Sequence, residues 1–336
     1  MKTKTPSRST YQTPRKTPKR KPKASNQEQP KKEAKRLRDW AAEDAAQVRR
    51  GRIDFYIAAD AFTRPPKTGG RGRPQEYSQT LIWGALALRQ LERKAYRTLE
   101  GYVASLATLL GYEGETPDHG TFWRRAAATP LPPLPKLAGR RIVVVDSTGV
   151  KVFGPGEWRR HKHGERIERT YLKFHAVRDA ESGEILDWAL TNSSGSGSGD
   201  SAVGARMLEK LTAEGAEFAG VAADGAYDTS AFRAAAWRGG GAALVPPQRG
   251  GRLQGEYEGW QRERNQQIQA CGSSEEERAA WKDASGYHVR SLAETTFSRH
   301  HALFGERIMS RLPKRQRLEL AIRVWLMNQN VCRSLA

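Results

Sequence analysis

A short apolar run, Arg141-Ile142-Val143-Val144-Val145, leads into Asp146 and then Ser147-Thr148-Gly149. The pattern recurs where Phe218-Ala219-Gly220-Val221-Ala222-Ala223 leads into Asp224 and Gly225-Ala226-Tyr227-Asp228. Two buried strands that each end on an aspartate can set carboxylates side by side at one edge of a sheet. Paired carboxylates hold hard divalent cations. A third, Glu294, lies four residues past Arg290, and Tyr287 lies three before that arginine, so a helix would present all three on one face. Two Asp and one Glu suit Mg²⁺, with Mn²⁺ able to take its place. A pair of ions could activate an attacking oxygen and stabilise a leaving 3′-oxygen. An Asp after a strand also serves as a turn or capping residue, so neither aspartate decides the matter alone. Asp228 is expected to cap the following helix, and Asp179, Asp187 and Asp200 to lie in turns or on the surface.

The setting of these acids narrows the chemistry. Across 336 residues, 57 Lys and Arg outweigh 37 Asp and Glu, for a formal charge of +20. Metal-binding carboxylates on a polycation point to phosphodiester chemistry on nucleic acid. Residues 1–38 are dominated by Lys, Arg, Pro, Ser and Thr, and Glu28 and Glu33 are the acids among them. Such a segment cannot bury enough apolar surface to offset its chain entropy, and is expected to be a disordered, phosphate-neutralising tail. An organellar transit peptide would share its basic, Ser-rich character. The opening lacks the apolar run of a secretory signal, and the longest apolar run, at 81–88, is far too short to span a bilayer. The cysteines, Cys271 and Cys332, are isolated, which excludes a disulfide framework or a cysteine-rich zinc site and fits a reducing, cytoplasmic compartment.

The elements that must position the acids follow from periodicity. Residues 31–50 read as a polar helix, and residues 64–74 as a Pro- and Gly-rich basic linker. Helices are expected over 79–93, 97–111 and from about 121, the last carrying Arg124 and Arg125. Short helices with a basic final one are helix-turn-helix-like, though any small helical bundle would look alike. The proline-rich stretch 129–135 marks a domain boundary. Beyond it, strands are expected at 142–145, 170–179 and 184–191, the last two joined as a hairpin through Glu181-Ser182-Gly183. A Ser/Gly loop at 193–199 precedes a helix at 201–213, the Asp224 strand, a helix at 229–238 and a strand at 242–245. Residues 248–285 break this rhythm as an insertion, and helices at 287–300 and 314–334 close the chain. That order is the layout of an RNase H-like α/β domain, a mixed five-stranded sheet with helices on both faces. The expected organisation is therefore a tail over 1–38, a helical DNA-binding domain over 39–130 and an RNase H-like domain over 131–336.

Several stretches carry a family resemblance. RIVVVDSTG, EWRRHKHG, LKFHAVRD, DGAYDT and YHVRSLAETTFSRHHALFG, with RGRPQEYS and TPDHGTFWRR upstream, resemble bacterial DDE transposases of the insertion-sequence-five family. The likeness runs from about Gly72 to Asn330, with the motifs in the family order. It implies Asp146, Asp224 and Glu294 as the catalytic, metal-holding triad. Tyr287 and Arg290 match the Tyr-x-x-Arg-x-x-x-Glu signature as DNA contacts. Where that signature continues to a lysine, this chain has His301, which can donate to phosphate when protonated. The implied reaction is metal-dependent hydrolysis at each transposon end, followed by direct attack of the freed 3′-OH on target DNA. No nucleotide cofactor or covalent protein intermediate is involved. The partners would be double-stranded DNA, as terminal inverted repeats and as target, and at least a second copy of the chain, with the nucleoid as the place of action.

Further contacts follow from residue type. Trp158, Arg159, Arg160, His161, Lys162 and His163 form a basic, aromatic stretch between the first two strands, suited to gripping phosphates or stacking an unpaired base, or simply to solvation. A zinc site from His161, His163 and His175 has only proximity in its favour, and His175 reads better as a core or edge histidine. Trp260 and Trp281 could stack on bases or pack within the insertion. Arg124 and Arg125 are the candidates for reading the terminal repeats, by base edges or by phosphate alone. Two rival readings stay open: a structure-specific nuclease that cleaves without joining, and a DNA-binding regulator that no longer cuts.

Overall fold

The computed structural model describes residues 51–57, 59–66, 74–152, 171–192, 199–255 and 258–335, together with 41, 44, 45, 48 and 197. Of residue 59 and residues 330–335 it describes the backbone alone. The expected basic tail, most of the 64–74 linker, the 158–163 stretch and most of the Ser/Gly loop lie outside the described residues.

Among the described residues, β1 (Arg141–Val152), β2 (Tyr171–Asp179), β3 (Ile185–Asn192), β4 (Phe218–Ala222) and β5 (Ala242–Leu244) lie in the spatial order β3-β2-β1-β4-β5. The first three form an antiparallel meander, whose β2–β3 turn uses Gly183 at φ +78°. β4 and β5 then add in parallel beyond β1. Parallel neighbours need a crossover, and α4 (Asp200–Ala213) and α5 (Ser230–Arg238) supply the connections to β4 and β5. A sixth strand, β6 (Arg307–Ile308), pairs in parallel with Lys151 and Val152 at the far end of β1. It goes beyond the five strands expected, because two residues are too short to carry a periodic signal.

β1 also differs from expectation in length. The strand does not stop at Asp146 but continues through Val152, because β2 pairs with it all the way from Val143↔Asp179 to Lys151↔Tyr171. What ends near Asp146 is the pairing to β4, whose last rung is Val144↔Ala222.

Side chains alternate between the two faces of a strand, and this splits the core in two. Val143, Val145, Val177, Val221 and Ala223 face α4 and α5, packing with Val203, Leu208 and Phe232. Val144, Val150, Phe174 and Ala176 face the other way, toward α8 (Ser291–Phe304) and α9 (Pro313–Leu335). This second cluster also takes in Leu86, Leu99, Val103 and Phe122 from three preceding helices, α1 (Gln79–Leu91), α2 (Tyr96–Leu109) and α3 (His119–Ala128). Ser78 caps α1 by accepting from the Leu81 amide at 3.0 Å, and Asp118 caps α3.

Buried charge ties these layers together. Glu319 on α9 accepts from the Met309 and Ser310 amides, the Ser310 hydroxyl and Arg323, while Arg323 Nε donates to Gln90 of α1 at 3.1 Å. Asp228 does not cap α5; Thr229 does, and Asp228 is buried between Arg233 and Arg264. Burial alone would push its carboxyl up, but the two guanidiniums outweigh this and hold it below the usual range. Arg264 belongs to α6 (Gly259–Cys271), which with α7 (Glu275–Ala284) makes up the segment that broke the strand–helix rhythm. α6 covers the open edge of β5, where Glu263 accepts from the Ala243 amide at 2.9 Å and Gln267 donates to the Ala243 carbonyl at 2.8 Å. Side chains thus stand in for a missing strand. Trp260 and Trp281 are buried in this segment, so they pack within the fold. Asp179 and Asp187, expected in turns or on the surface, are also buried, because Arg141 and Lys210 neutralise them at 3.0 and 2.6 Å. Among the described residues no helix is long and apolar enough to cross a membrane.

His300 is wholly buried among Phe174 and Phe304, and neither ring nitrogen has a hydrogen-bond partner. Burial pulls its pKa from 6.5 to about 3, and burial pulls His175 to about 4. Between those values and 6.5 the unfolded chain holds more protons than the folded one, so stability falls as pH drops through that window. Urea unfolding from pH 7 to pH 4 should show this decline, and His300→Phe should flatten it; an equally steep decline in that variant would contradict the assignment.

Candidate active site

The alternation that sorts the core also places the acids. Asp146 follows Val144 by two residues and therefore shares its face, the one covered by α8. Asp224 stands two residues past Ala222, the partner of Val144 in the parallel register. The two aspartates therefore leave neighbouring strands at the same level and on the same side. On the edge of β1 that faces β4, no described strand pairs beyond this rung until β6 joins at Lys151, while β2 stays paired along the other edge. The 3-10 turn Tyr287–Arg290, entered through Gly286 at φ +71°, packs against both β1 and β4 at this gap. Expected as the first turn of one helix over 287–300, these residues form a separate tight turn, after which α8 begins at Ser291. Glu294 lies in the first turn of α8, where a helix dipole favours a carboxylate.

Arg290 joins the acids. Its Nη2 donates to Asp146 Oδ2 at 3.3 Å and its Nη1 to Glu294 Oε1 at 2.5 Å. Asp146 is largely buried and Glu294 is 64% exposed. Asp146 Oδ1 accepts from the Ser147 amide, and Asp224 Oδ1 from the Ala226 amide at 2.9 Å. Burial raises the Asp146 carboxyl above the usual range, and the negative charges of Asp224 and Asp200 add to this against the pull of Arg290. Burial raises the Tyr287 phenol, and the negative charges of Asp224, Asp146 and Glu294 add to this against the pull of Arg290.

The donor chemistry fits a hard divalent ion: three carboxylates, two of them in register on adjacent strands. Among the described residues no three His, Cys, Asp or Glu side chains are gathered closely enough to hold a metal as they stand. Glu294 is turned to Arg290, whose guanidinium supplies the positive charge between the acids.

The other expected contacts are placed less uniformly. Arg124 is exposed on α3, its guanidinium at 3.1 Å from Thr121 Oγ1. Arg125 is engaged internally, donating to the Tyr77 carbonyl at 3.3 Å and to Gln79 Oε1 at 2.7 Å, which fastens α3 to the start of α1. Beside Arg124, Trp123 is half exposed, with Arg315 stacked 3.4 Å over its ring. His301 packs on the edge of His300, and its Nε2 is buried without a partner. Arg159, Arg160 and Lys162 lie outside the described residues. His175 is a buried histidine bonded to Thr191 at 2.8 Å.

Two residues near the acids were not read from sequence as part of the site. Asp200, the first residue of α4, acts on Asp146 through space and binds Lys173 at 2.8 Å. Arg178 reaches from β2 to α8, and its signal was present in the alternation: Leu172, Phe174 and Ala176 define an apolar face on which Arg178 is the next position. Because Asp224 raises the Asp146 carboxyl, Asp224→Asn should lower the Asp146 pKa in a carboxyl ¹³C titration. An unchanged value would refute their proximity.

A family model described as a transposase DDE domain matches residues 137–329, from the start of the sheet into α9. A second model of the same description matches residues 48–155 and ends just past β1. With more than half of the chain matched and the acids of β1, β4 and α8 inside the match, the protein belongs to the DDE transposases.

Proposed function

We propose that this chain is an insertion-sequence transposase of the insertion-sequence-five family. In this reading it binds the terminal inverted repeats of its element, cuts the ends and joins them to target DNA. The observation that supports this most strongly is the shared level of Asp146 and Asp224 on parallel neighbours β1 and β4, with Glu294 tied to Asp146 through Arg290. Asp146, Asp224 and Glu294 would hold Mg²⁺ or Mn²⁺, as two ions. Bound there, the ions supply charge that favours deprotonation of an attacking water or 3′-OH and departure of a 3′-oxygen.

The chain's own groups do the positioning. Arg290 balances the acids until cation and phosphate enter, and its guanidinium is then free to fork onto a phosphate oxygen. Tyr287, within reach of the charge of the three acids, is placed to donate to a backbone phosphate rather than to attack it. His301 would need to turn outward to reach DNA, since its Nε2 is buried. Arg159, Arg160 and Lys162 add phosphate contacts between β1 and β2. The region over residues 39–130 serves as the helix-turn-helix-like DNA-binding part, with Arg124 as the presented arginine of α3. The region over 131–336 is the RNase H-like catalytic part, with its insertion near 248–285. The basic residues 1–38 add sequence-independent affinity that falls steeply with salt. Coordinated cutting of two ends calls for a homodimer or larger assembly on DNA.

Purified protein with Mg²⁺ and a labelled duplex carrying the element's ends should yield nicks at the end and joined products. Asp224→Asn should yield neither while still binding DNA. Cleavage without joining would turn the reading to a structure-specific nuclease. Binding with no cleavage by either protein would turn it to a regulator.

A further inference from the structure

Arg178 is a charge in an unfavourable place. It lies on β2 opposite Val144, on the face covered by α8, and is largely removed from water. Among the described residues no carboxylate lies within ion-pair distance of it. Burial pulls its pKa down and the nearby charge of Arg299 pulls it further, against a smaller opposing effect of Asp179, and its Nε is buried without a partner. Its bonds go through Nη1, to the Leu292 carbonyl and to Thr296 Oγ1, each at 2.7 Å. Thr296 Oγ1 in turn donates to the Leu292 carbonyl at 3.0 Å, closing a small triangle.

An isolated buried cation bonded to neutral acceptors is a poor way to hold a helix on a sheet, since an apolar side chain of equal size would do so at lower cost. Its position offers a better account. Leu292 and Thr296 flank Glu294 at two residues on either side, and Val144, across from Arg178, precedes Asp146 by two on the same face. The guanidinium therefore spans from the strand pair carrying Asp146 to the helical turn carrying Glu294. Arg290 cannot do this once it leaves for phosphate, because it holds the carboxylates themselves.

We propose that Arg178 is a positioning residue for the carboxylate site. It fixes the height and rotation of the first turn of α8, and so the distance of Glu294 from Asp146 and Asp224. The proposal rests on the reading of those three acids as a divalent-cation site. Groups that orient metal ligands without touching the metal commonly alter metal affinity by about 10- to 100-fold when removed.

The test compares the full-length wild type, Arg178→Met, Arg178→Lys and Glu294→Gln by Mn²⁺ calorimetry and by thermal unfolding without metal. Arg178→Met should melt within a few degrees of wild type, or higher, because it removes an unpaired buried charge. It should nevertheless bind Mn²⁺ about tenfold or more weakly, with faster hydrogen exchange at 291–296. Arg178→Lys, keeping one donor, should fall between. Mn²⁺ affinity in Arg178→Met equal to wild type, while Glu294→Gln is impaired, would overturn the proposal alone. A weakened affinity that only accompanies a large fall in melting temperature would overturn it too, as structural damage. A wild type with no Mn²⁺ affinity, or Glu294→Gln equal to wild type, would overturn the cation-site reading and the proposal with it.

Discussion

The candidate site depends on the parallel register that sets Val144 beside Ala222. Because side chains alternate strictly along a strand, a slip of one residue would send either aspartate to the opposite face. Val143, Val145, Val221 and Ala223 hold the register from one side, buried under α4 and α5, while Val144 and Ala222 hold it from the other. The apolar residues before each aspartate thus determine where its carboxylate emerges. Gly204 lets α4 come close: a Cβ there would meet Tyr227 at 2.9 Å and Phe232 at 3.0 Å. Tyr227, three residues past Asp224, is buried against that glycine and anchors the turn in which Asp224 accepts from Ala226.

Buried charge is used elsewhere for a different end. Breaking a buried pair by removing one partner costs about 3–5 kcal/mol, whereas intact pairs add little over a well-packed apolar alternative. The Asp228–Arg233–Arg264 cluster and the Glu319–Arg323–Gln90 cluster are better understood as fixing which surfaces meet. The first admits only an α6 placed to bring Arg264 to Asp228, and that placement carries Glu263 and Gln267 to the edge of β5. The second locks α9 to α1, and so closes the helical layer over the face from which Asp146 and Asp224 project.

Much of this was readable in the chain. The apolar runs before Asp146 and Asp224, the hairpin at Gly183 and the order of strands and helices follow from local pattern. Local pattern also misled where a partner decides the outcome. Ser147-Thr148-Gly149 looks like a turn, yet β2 supplies hydrogen-bonding partners that keep β1 extended to Val152. Asp228 looks like a cap, yet Arg264, far along the chain, and the nearer Arg233 draw it inside, and Thr229 takes the capping role. Arg125 looks like part of a basic reading face, yet Tyr77 and Gln79 hold it. Arg233 apart, none of those partners lies within reach of a sequence window. Arg178 is the opposite case, where the period-two pattern located the residue but composition gave no reason to expect a cation there.

Carboxylates brought near one another without a cation would repel, and the fold meets this with Arg290 between Asp146 and Glu294. The four-residue spacing from Arg290 to Glu294 carries the guanidinium to the acid one turn ahead, and the tight turn after Gly286 swings the same group toward β1. Asp146 nevertheless remains raised, since burial and the charges of Asp224 and Asp200 outweigh the Ser147 amide and Arg290 together. One guanidinium reaches Asp146 and Glu294, while Asp224 relies on a backbone amide. The acids are therefore incompletely neutralised, a state in which entry of further positive charge is favoured. The residues that would donate to a cation and the residue that balances them in its absence are set at one gap, on the edge of β1 opposite β2, between its pairing to β4 and its pairing to β6.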